Sequence, residues 1–262
     1  MKAHNTVTSA ALAVLLLASA AAAQTHEVSL GGHAGLSIPN IRAGATDILS
    51  QDFSSRRGPF FGVFVETTLS PRVSLVVDVN YTSQGGKRDG VQPITTDIGL
   101  PPLPDGSYFY ADYHNETILD YVEVPVQLRL HFGTGFRFFI NGGAYLGILV
   151  SAKAVTSGSS LIYLDQGKTQ PITPSPVSFD AETDVSDSLK RTNYGIIGGG
   201  GVMHRVGRGD LVAEVHFQVG LTTIQQDVST SGNNKTGAVV VSLGYSLPLS
   251  RGKPAKPVTR TP

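Results

Sequence analysis

The residues best suited to chemistry are ionisable side chains that stand at alternate positions of apolar segments. Acid–base catalysis needs a proton donor and a proton acceptor held close together, and a metal site needs several carboxylates or imidazoles that converge. The candidates are Glu66, Asp78, Glu123, Arg129, Arg137, Lys153 and Glu214, with His33, His131 and His216. Paired charges also fill the interior of narrow barrels. This interpretation predicts a structural polar network of Glu66, Asp78, Glu123, Arg129, Arg137, Glu214 and His216, in which Glu123 pairs with Arg129 or Arg137.

No catalytic, cofactor or metal motif accompanies these residues. The sequence has no His-Glu-x-x-His, and its 0 cysteines exclude soft-metal sites. A serine hydrolase is the enzyme class to consider, but the nucleophile motif G-x-S-x-G is absent. The run Gly198–Gly201 lacks the spacing of a phosphate-binding loop. We therefore expect a protein that is not an enzyme and has no cofactor.

The elements that position these residues are β-strands, because apolar and polar residues alternate strictly over long segments. In the clearest segment, Ile118–Phe132, the even positions from Val122 to Phe132 are apolar and the odd positions include Glu123, Arg129 and His131. The same pattern recurs, more weakly where glycines dilute it, over residues 26–38, 59–69, 73–82, 136–153, 192–205, 211–223 and 238–249. The pattern predicts about eight strands.

The connections between these strands alternate in length. Short turns fall near Ser70-Pro71, Gly133–Gly135 and Gly207–Asp210, and long connections cover residues 39–58, 86–113, 154–191 and 226–236. This alternation is typical of an antiparallel up-and-down barrel with periplasmic turns and extracellular loops. The sequence therefore predicts an all-β, eight-stranded transmembrane β-barrel.

Alternation alone does not say which face points inward, since a soluble lipocalin-like barrel has the opposite polarity. Small residues on the polar face, among them Gly143 and Gly147, suit a crowded lumen. Aromatic residues near strand ends favour a membrane interface. The last strand carries a pattern similar to the C-terminal signal read by the barrel assembly machinery: Ser242, Gly244, Leu247 and Leu249. We expect contact with outer-membrane lipid and with that machinery during insertion.

Composition and the chain ends agree with an exported membrane protein. In 262 residues, 40% are hydrophobic and only 15% charged, and the formal net charge of zero gives no reason to expect nucleic acid. The basic start and apolar run of residues 1–23 predict a cleaved signal peptide, since the run is too short for a retained helix. The predicted divisions are residues 1–23 signal peptide, 24–250 barrel and 251–262 a proline-rich, basic periplasmic tail.

Several segments resemble the PorT-type outer-membrane β-barrel family. They are Tyr81–Lys87, the block Leu119–Pro125 (LDYVEVP), Phe139–Lys153, Asn193–Gly201 and Gly220–Ile224. The resemblance covers nearly the whole mature chain and implies a small closed barrel in the outer membrane. It also implies a possible accessory role in protein secretion, the role of the founding member.

The expected function is a non-enzymatic structural or interaction protein whose long extracellular loops bind protein partners. The secretion role is the alternative. A small-solute pore is a third hypothesis, which the low strand number disfavours.

Overall fold

The computed structural model describes residues 27–43, 53–94, 99–101, 103–104, 107–227 and 233–250. The predicted signal peptide at residues 1–23 and the predicted tail at residues 251–262 lie outside these ranges. Among the described residues, no helix is both long enough and apolar enough to cross a membrane.

The described chain is almost entirely β-structure. Its strands are β1 (Val28–Ala43), β2 (Gly58–Ser70), β3 (Val73–Arg88), β4 (Val91–Pro93), β5 (Tyr110–Asp112), β6 (His114–Phe132), β7 (Phe136–Ser157), β8 (Ser159–Ser160), β9 (Val177–Ser178), β10 (Ala181–Asp184), β11 (Thr192–Val206), β12 (Gly209–Gly220) and β13 (Asn234–Ser250). A single 3-10 turn covers Ser186–Ser188.

Eight long strands close into a barrel. Their order around the ring is β1-β2-β3-β6-β7-β11-β12-β13, and β13 pairs with β1. Every neighbouring pair is antiparallel. Closure satisfies the backbone groups that an open sheet edge would leave exposed. The prediction of an eight-stranded up-and-down barrel is confirmed.

Short turns join the strands at one end, called here the short-turn end. The turns after β6 and β11 contain Gly133 (φ 85°) and Gly207 (φ 63°), left-handed backbone conformations that glycine adopts without steric cost. The other end, the long-loop end, carries the segments between β1 and β2, β3 and β6, β7 and β11, and β12 and β13.

The barrel is apolar outside and polar inside. On the outer face, Leu128 is 54% exposed and Leu243 is 63% exposed, whereas the inward Glu123 is fully buried. A water-soluble barrel would expose its polar face and bury its leucines. The predicted assignment of faces therefore holds along the strands.

One strand pair departs from simple alternation. The register of β6 with β7 shifts between Asp120 and Tyr121, so that Tyr121 lies opposite Leu149 while Leu119 lies opposite Ala152. Such a bulge moves the following side chains to the other face. Lys153, grouped with the inward charges from its sequence parity, is instead exposed and pairs with Glu182.

Two of the long segments fold against each other above the barrel. The segment between β3 and β6 forms the hairpin of β4 with β5, and the segment between β7 and β11 pairs β8 with β9 and β10 with β7. A separate apolar cluster joins the two segments: Ile94, Ala111, Tyr113 and Ile162, with Leu100, Phe109 and Phe179 packed around them. We call this unit the loop platform.

Candidate functional site

The charged centre of the lumen is Arg129. Its guanidinium donates to Glu66 Oε2 at 3.0 Å and to Glu214 Oε2 at 2.9 Å, and it lies 4.2 Å from the centre of the Phe139 ring. All three charged residues are at most 7% exposed. Three strands, β2, β6 and β12, therefore hold one buried ion-pair network, which contains three of the predicted residues.

Polar side chains complete this layer. Asn141 donates to Glu214 Oε1 at 2.8 Å and to Gln127 Oε1 at 3.0 Å. Gln127 in turn lies 3.3 Å from Asp78 Oδ2, and His216 Nδ1 lies 3.5 Å from Glu214 Oε1. Asp78 and His216 thus belong to the same connected group as Arg129.

Glu123 lies in a separate layer nearer the long-loop end. Its two carboxylate oxygens accept hydrogen bonds from the side-chain amides of Gln84 (2.5 Å) and Gln218 (2.9 Å), not from an arginine. Arg129 stands six residues along the same strand, which is about 20 Å at ~3.3 Å per residue, too far for contact. The predicted pairing of Glu123 with Arg129 is therefore wrong.

Arg137 lies farther from Glu123 than Arg129 does. Glu123 aligns with Gly147 of β7, ten residues beyond Arg137, or about 33 Å along the strand. Arg137 is partly exposed at the short-turn end, where it donates to Asp210 Oδ2 at 2.8 Å. The predicted pairing of Glu123 with Arg137 is therefore also wrong.

The short-turn end opens into a polar cavity of about 610 Å³. Ser74, His131 and Glu66 meet on its wall, a combination that suggests a hydrolase triad. His131 Nε2, however, contacts both Ser74 Oγ (3.1 Å) and Glu66 Oε1 (2.9 Å). A triad uses one ring nitrogen for the serine and the other for the acid. This arrangement lacks that relay, and Glu66 is already bound by Arg129.

The long-loop end is covered by an apolar cluster. Leu119, Tyr121, Leu149 and Ala152 on the inner face of β6 and β7 pack with Leu189 and Ile224 from the loops. The Lys190 N–H donates to the Ile224 carbonyl at 2.7 Å, which ties the two loops together. Buried apolar side chains from the strands and the loops therefore meet at this end of the lumen.

Hydrogen bonds fix the loop platform in addition to its apolar cluster. Tyr113 and Phe179 stack at 4.6 Å with their planes 10° apart. The backbones of Tyr110 and Tyr163 exchange two hydrogen bonds of 2.9 Å. Asp180 accepts from the Gly158 N–H and from the Ser178 hydroxyl, contacts that lower the pKa of this carboxyl and keep it ionised.

Several residues that take part in the lumen contacts are not among the predicted network. Gln84 and Gln218 donate to Glu123, while the Asn80 side-chain oxygen accepts from His33 Nε2 at 2.7 Å. Arg56, just before β2, is buried and donates to Glu116 at 2.6 Å. The inward parity of Gln84, Gln218 and Asn80 was readable, but their amides carry no charge to mark them. Arg56 precedes its strand, where parity gives no direction. In the described ranges, no three acidic or histidine side chains converge to hold a metal ion.

The predicted C-terminal signal residues occupy the closing strand. Ser242 is buried, and Leu247 and Leu249 are exposed on the outer face. Their recognition by the assembly machinery remains a prediction.

A closed eight-stranded barrel with an apolar outer belt and a buried ion-pair network defines an integral membrane β-barrel. The sequence matches the family described as outer membrane protein beta-barrel domain over residues 22–226. The chain belongs to this family and is an outer-membrane β-barrel protein. The match establishes this broader family and leaves the PorT-type resemblance as a prediction.

Among solved structures, the chain is similar to Ail, the attachment invasion locus protein of Yersinia pestis, which was crystallised with the heparin analogue sucrose octasulfate. The identity is 11%, the alignment covers 86% of this chain and 100% of Ail, and the TM-score is 0.37. Neisserial surface protein A (NspA) gives 11% identity, 84% and 96% coverage and a TM-score of 0.38. OprG from Pseudomonas aeruginosa gives 10% identity, 85% and 96% coverage and a TM-score of 0.35. Comparison with curated proteins gives no match.

Proposed function

We propose that this protein is a non-enzymatic interaction protein that binds partners through its long loops, which face the cell exterior. The loop platform is the observation that carries the proposal. Ordering a backbone costs roughly 1–2 kcal/mol per residue, and the barrel closes without these segments. A loop unit with its own apolar cluster therefore suits a preformed binding surface better than a simple connection.

Exposed apolar side chains on the platform support this function. Leu164, Ile172 and Val177 are between 37% and 42% exposed on the segment between β7 and β11. They lie beyond the barrel strands, so lipid contact does not explain them. Apolar side chains of this kind are available to a protein partner.

The lumen supports a closed barrel in preference to a pore. The Arg129 network occupies its centre, and the apolar cluster around Leu119 and Leu189 covers its long-loop end. His131 contacts Ser74 and Glu66 through the same ring nitrogen, which does not suit a hydrolase triad. This geometry favours a protein without hydrolase activity. These observations fit an interaction role better than transport or catalysis.

The route to the membrane is also part of the proposal. Residues 1–23 act as a cleaved signal peptide, and Ser242, Gly244, Leu247 and Leu249 are read by the barrel assembly machinery. The resemblance to the PorT-type family supports an accessory role in protein secretion as the alternative. In that case the loop partners would be secreted proteins or other components of the export apparatus.

Photo-crosslinking on intact cells of the source bacterium tests the interaction role. A photoreactive amino acid replaces Leu164 or Ile172, with Thr134 in a short turn as the control position. We expect discrete protein adducts from positions 164 and 172 that are absent at 134. Adducts that contain secreted or export proteins would favour the alternative, and no adduct at either loop position would contradict both roles.

A further inference from the structure

A second feature of the loop platform is a cleft of about 700 Å³ between its two segments. One wall carries Asp89, Asp112 and His114, and the other carries Ser159, Tyr163 and Lys168. The cleft is shallow and open to solvent along much of its surface. The cleft is lined by the two loop segments and the adjoining strand ends, so a ligand would reach it without entering the barrel.

The walls of the cleft are fixed before any ligand binds. The Asp112 N–H donates to Ser160 Oγ at 3.0 Å, and Gln92 donates to the Tyr113 carbonyl at 2.7 Å. Tyr113, whose ring stacks on that of Phe179, lines the cleft. A preformed site loses less conformational entropy on binding than a mobile loop would.

Lys168 is held in an unusual backbone conformation. Its φ is 59°, and within the described residues it is the one non-glycine position with a positive φ. The Asp165 carboxylate fixes this turn by accepting the N–H groups of Thr169 (3.1 Å) and Gln170 (2.8 Å). The turn brings the Lys168 ammonium to 2.8 Å from Asp112 on the opposite wall. Strain that places a side chain across a cleft is typical of binding sites.

The charges of the cleft balance. Lys168 faces Asp112, and His114 bonds to Asp89, which also lies 3.8 Å from the Lys87 ammonium. The pairing disfavours a metal cation, because each carboxylate already has a cationic partner, and it provides no excess positive charge for a polyanion. The hydroxyl-bearing and charged lining equally disfavours an acyl chain.

We propose that this cleft binds a neutral oligosaccharide. Sugar hydroxyls donate and accept at once, so beside this ion pair they can donate to the Asp112 carboxylate and accept from the Lys168 ammonium, while Ser159 offers a hydroxyl of its own. The Tyr163 ring supplies an apolar surface for the sugar C–H groups. This inference rests on the extracellular placement of the loops in the proposed function, and it names the class of ligand at that surface.

A glycan array tests the proposal with the full mature chain folded in lipid nanodiscs. The array carries trisaccharides of glucose, mannose and N-acetylglucosamine beside sulfated and carboxylated glycans. We expect retention on neutral glycans, and a titration of the best neutral trisaccharide gives the affinity. Asp112→Ala and Lys168→Ala each remove a charged hydrogen-bond partner and should weaken binding about tenfold or more.

Asp187→Ala is the matched control, because Asp187 is an exposed carboxylate on the same loop segment outside the cleft. It should bind as the wild type does, and the gel mobility of each unheated variant verifies folding. Three results would overturn the proposal: no retention of neutral glycans, retention of acidic glycans alone, or equal affinity in all variants. Crosslinking at Leu164 and Ile172 uses residues outside the cleft. A failure to bind glycans would therefore not contradict the interaction role.

Discussion

At the scale of single residues, the buried carboxylates of the lumen are held in different ways. Arg129 alone joins Glu66 and Glu214, while Glu123 relies on two neutral amides. Removing one partner of a buried ion pair is costly because the remaining charge stays in a low-dielectric interior. Neutralising Arg129 should therefore lower the free energy of unfolding much more than neutralising Glu123.

Arg129→Met should lower the free energy of unfolding by about 3–5 kcal/mol, since Glu66 and Glu214 would face each other without the guanidinium. Urea titration of the barrel refolded in phospholipid vesicles, followed by circular dichroism, measures this change. Equal stability of the variant and the wild type would show that the network contributes nothing.

Glu123→Gln should change the free energy of unfolding by less than about 1 kcal/mol. The new amide oxygen still accepts from Gln218. The Gln84 side-chain amide can rotate so that its Oε1, which lacks a hydrogen-bond partner, accepts from the new amide nitrogen at position 123. Glu123→Ala in the same assay is the comparison, because it removes the acceptor of Gln218 and leaves Gln84 only its 3.3 Å contact with Gln218 Oε1. A loss for Glu123→Gln as large as that for Glu123→Ala would contradict this description.

The sequence predicts which residues point into the lumen, because parity along a strand is local. It does not predict their partners. Glu66 and Arg129 are 63 residues apart, and Gln218 and Glu123 are 95 apart. Those contacts depend on the stagger of all eight strands around the ring. The distance between Glu123 and Arg129 along one strand was nevertheless available from the sequence, and it excludes their pairing.

At the scale of elements, each barrel strand divides a membrane environment from a polar one. Strands β6 and β7 show this best, since most of their outer positions are leucine, valine, isoleucine or phenylalanine. The bulge at Asp120 and Tyr121 could not be predicted, because it shifts the pairing without any break in the sequence pattern. The loop platform was also missed: its apolar residues, such as Ile94, Ile162 and Phe179, are scattered and show no period.

The outer belt predicts a depth-dependent cost for charge. Leu128→Arg places a guanidinium on the middle of the lipid-facing surface of β6 and should lower the free energy of unfolding by about 2–4 kcal/mol in vesicles. Val206→Arg, at the short-turn end of β11, should cost only about 0–1 kcal/mol because the side chain reaches the interface. The same urea titration compares them. Equal costs for the two variants would mean that the belt does not contact lipid hydrocarbon.

At the scale of the whole molecule, the two ends of the barrel differ. The long-loop end has the apolar cluster around Leu119 and the loop platform. The short-turn end has a polar cavity that reaches the Arg129 network. Partners at the two ends would meet unlike surfaces. The proposed function therefore requires that the platform, and not the cavity, faces the cell exterior.

Cysteine labelling tests this orientation, and the chain is well suited to it because its sequence contains 0 cysteines. Gln166→Cys lies on an exposed turn of the loop platform, and Thr134→Cys lies on the exposed turn between β6 and β7. A membrane-impermeant maleimide applied to intact cells should label position 166 and leave position 134 unlabelled until the outer membrane is permeabilised. Both side chains are exposed, so both variants should fold. Labelling of position 134 alone on intact cells would reverse the orientation and remove the basis for both the interaction role and the oligosaccharide site.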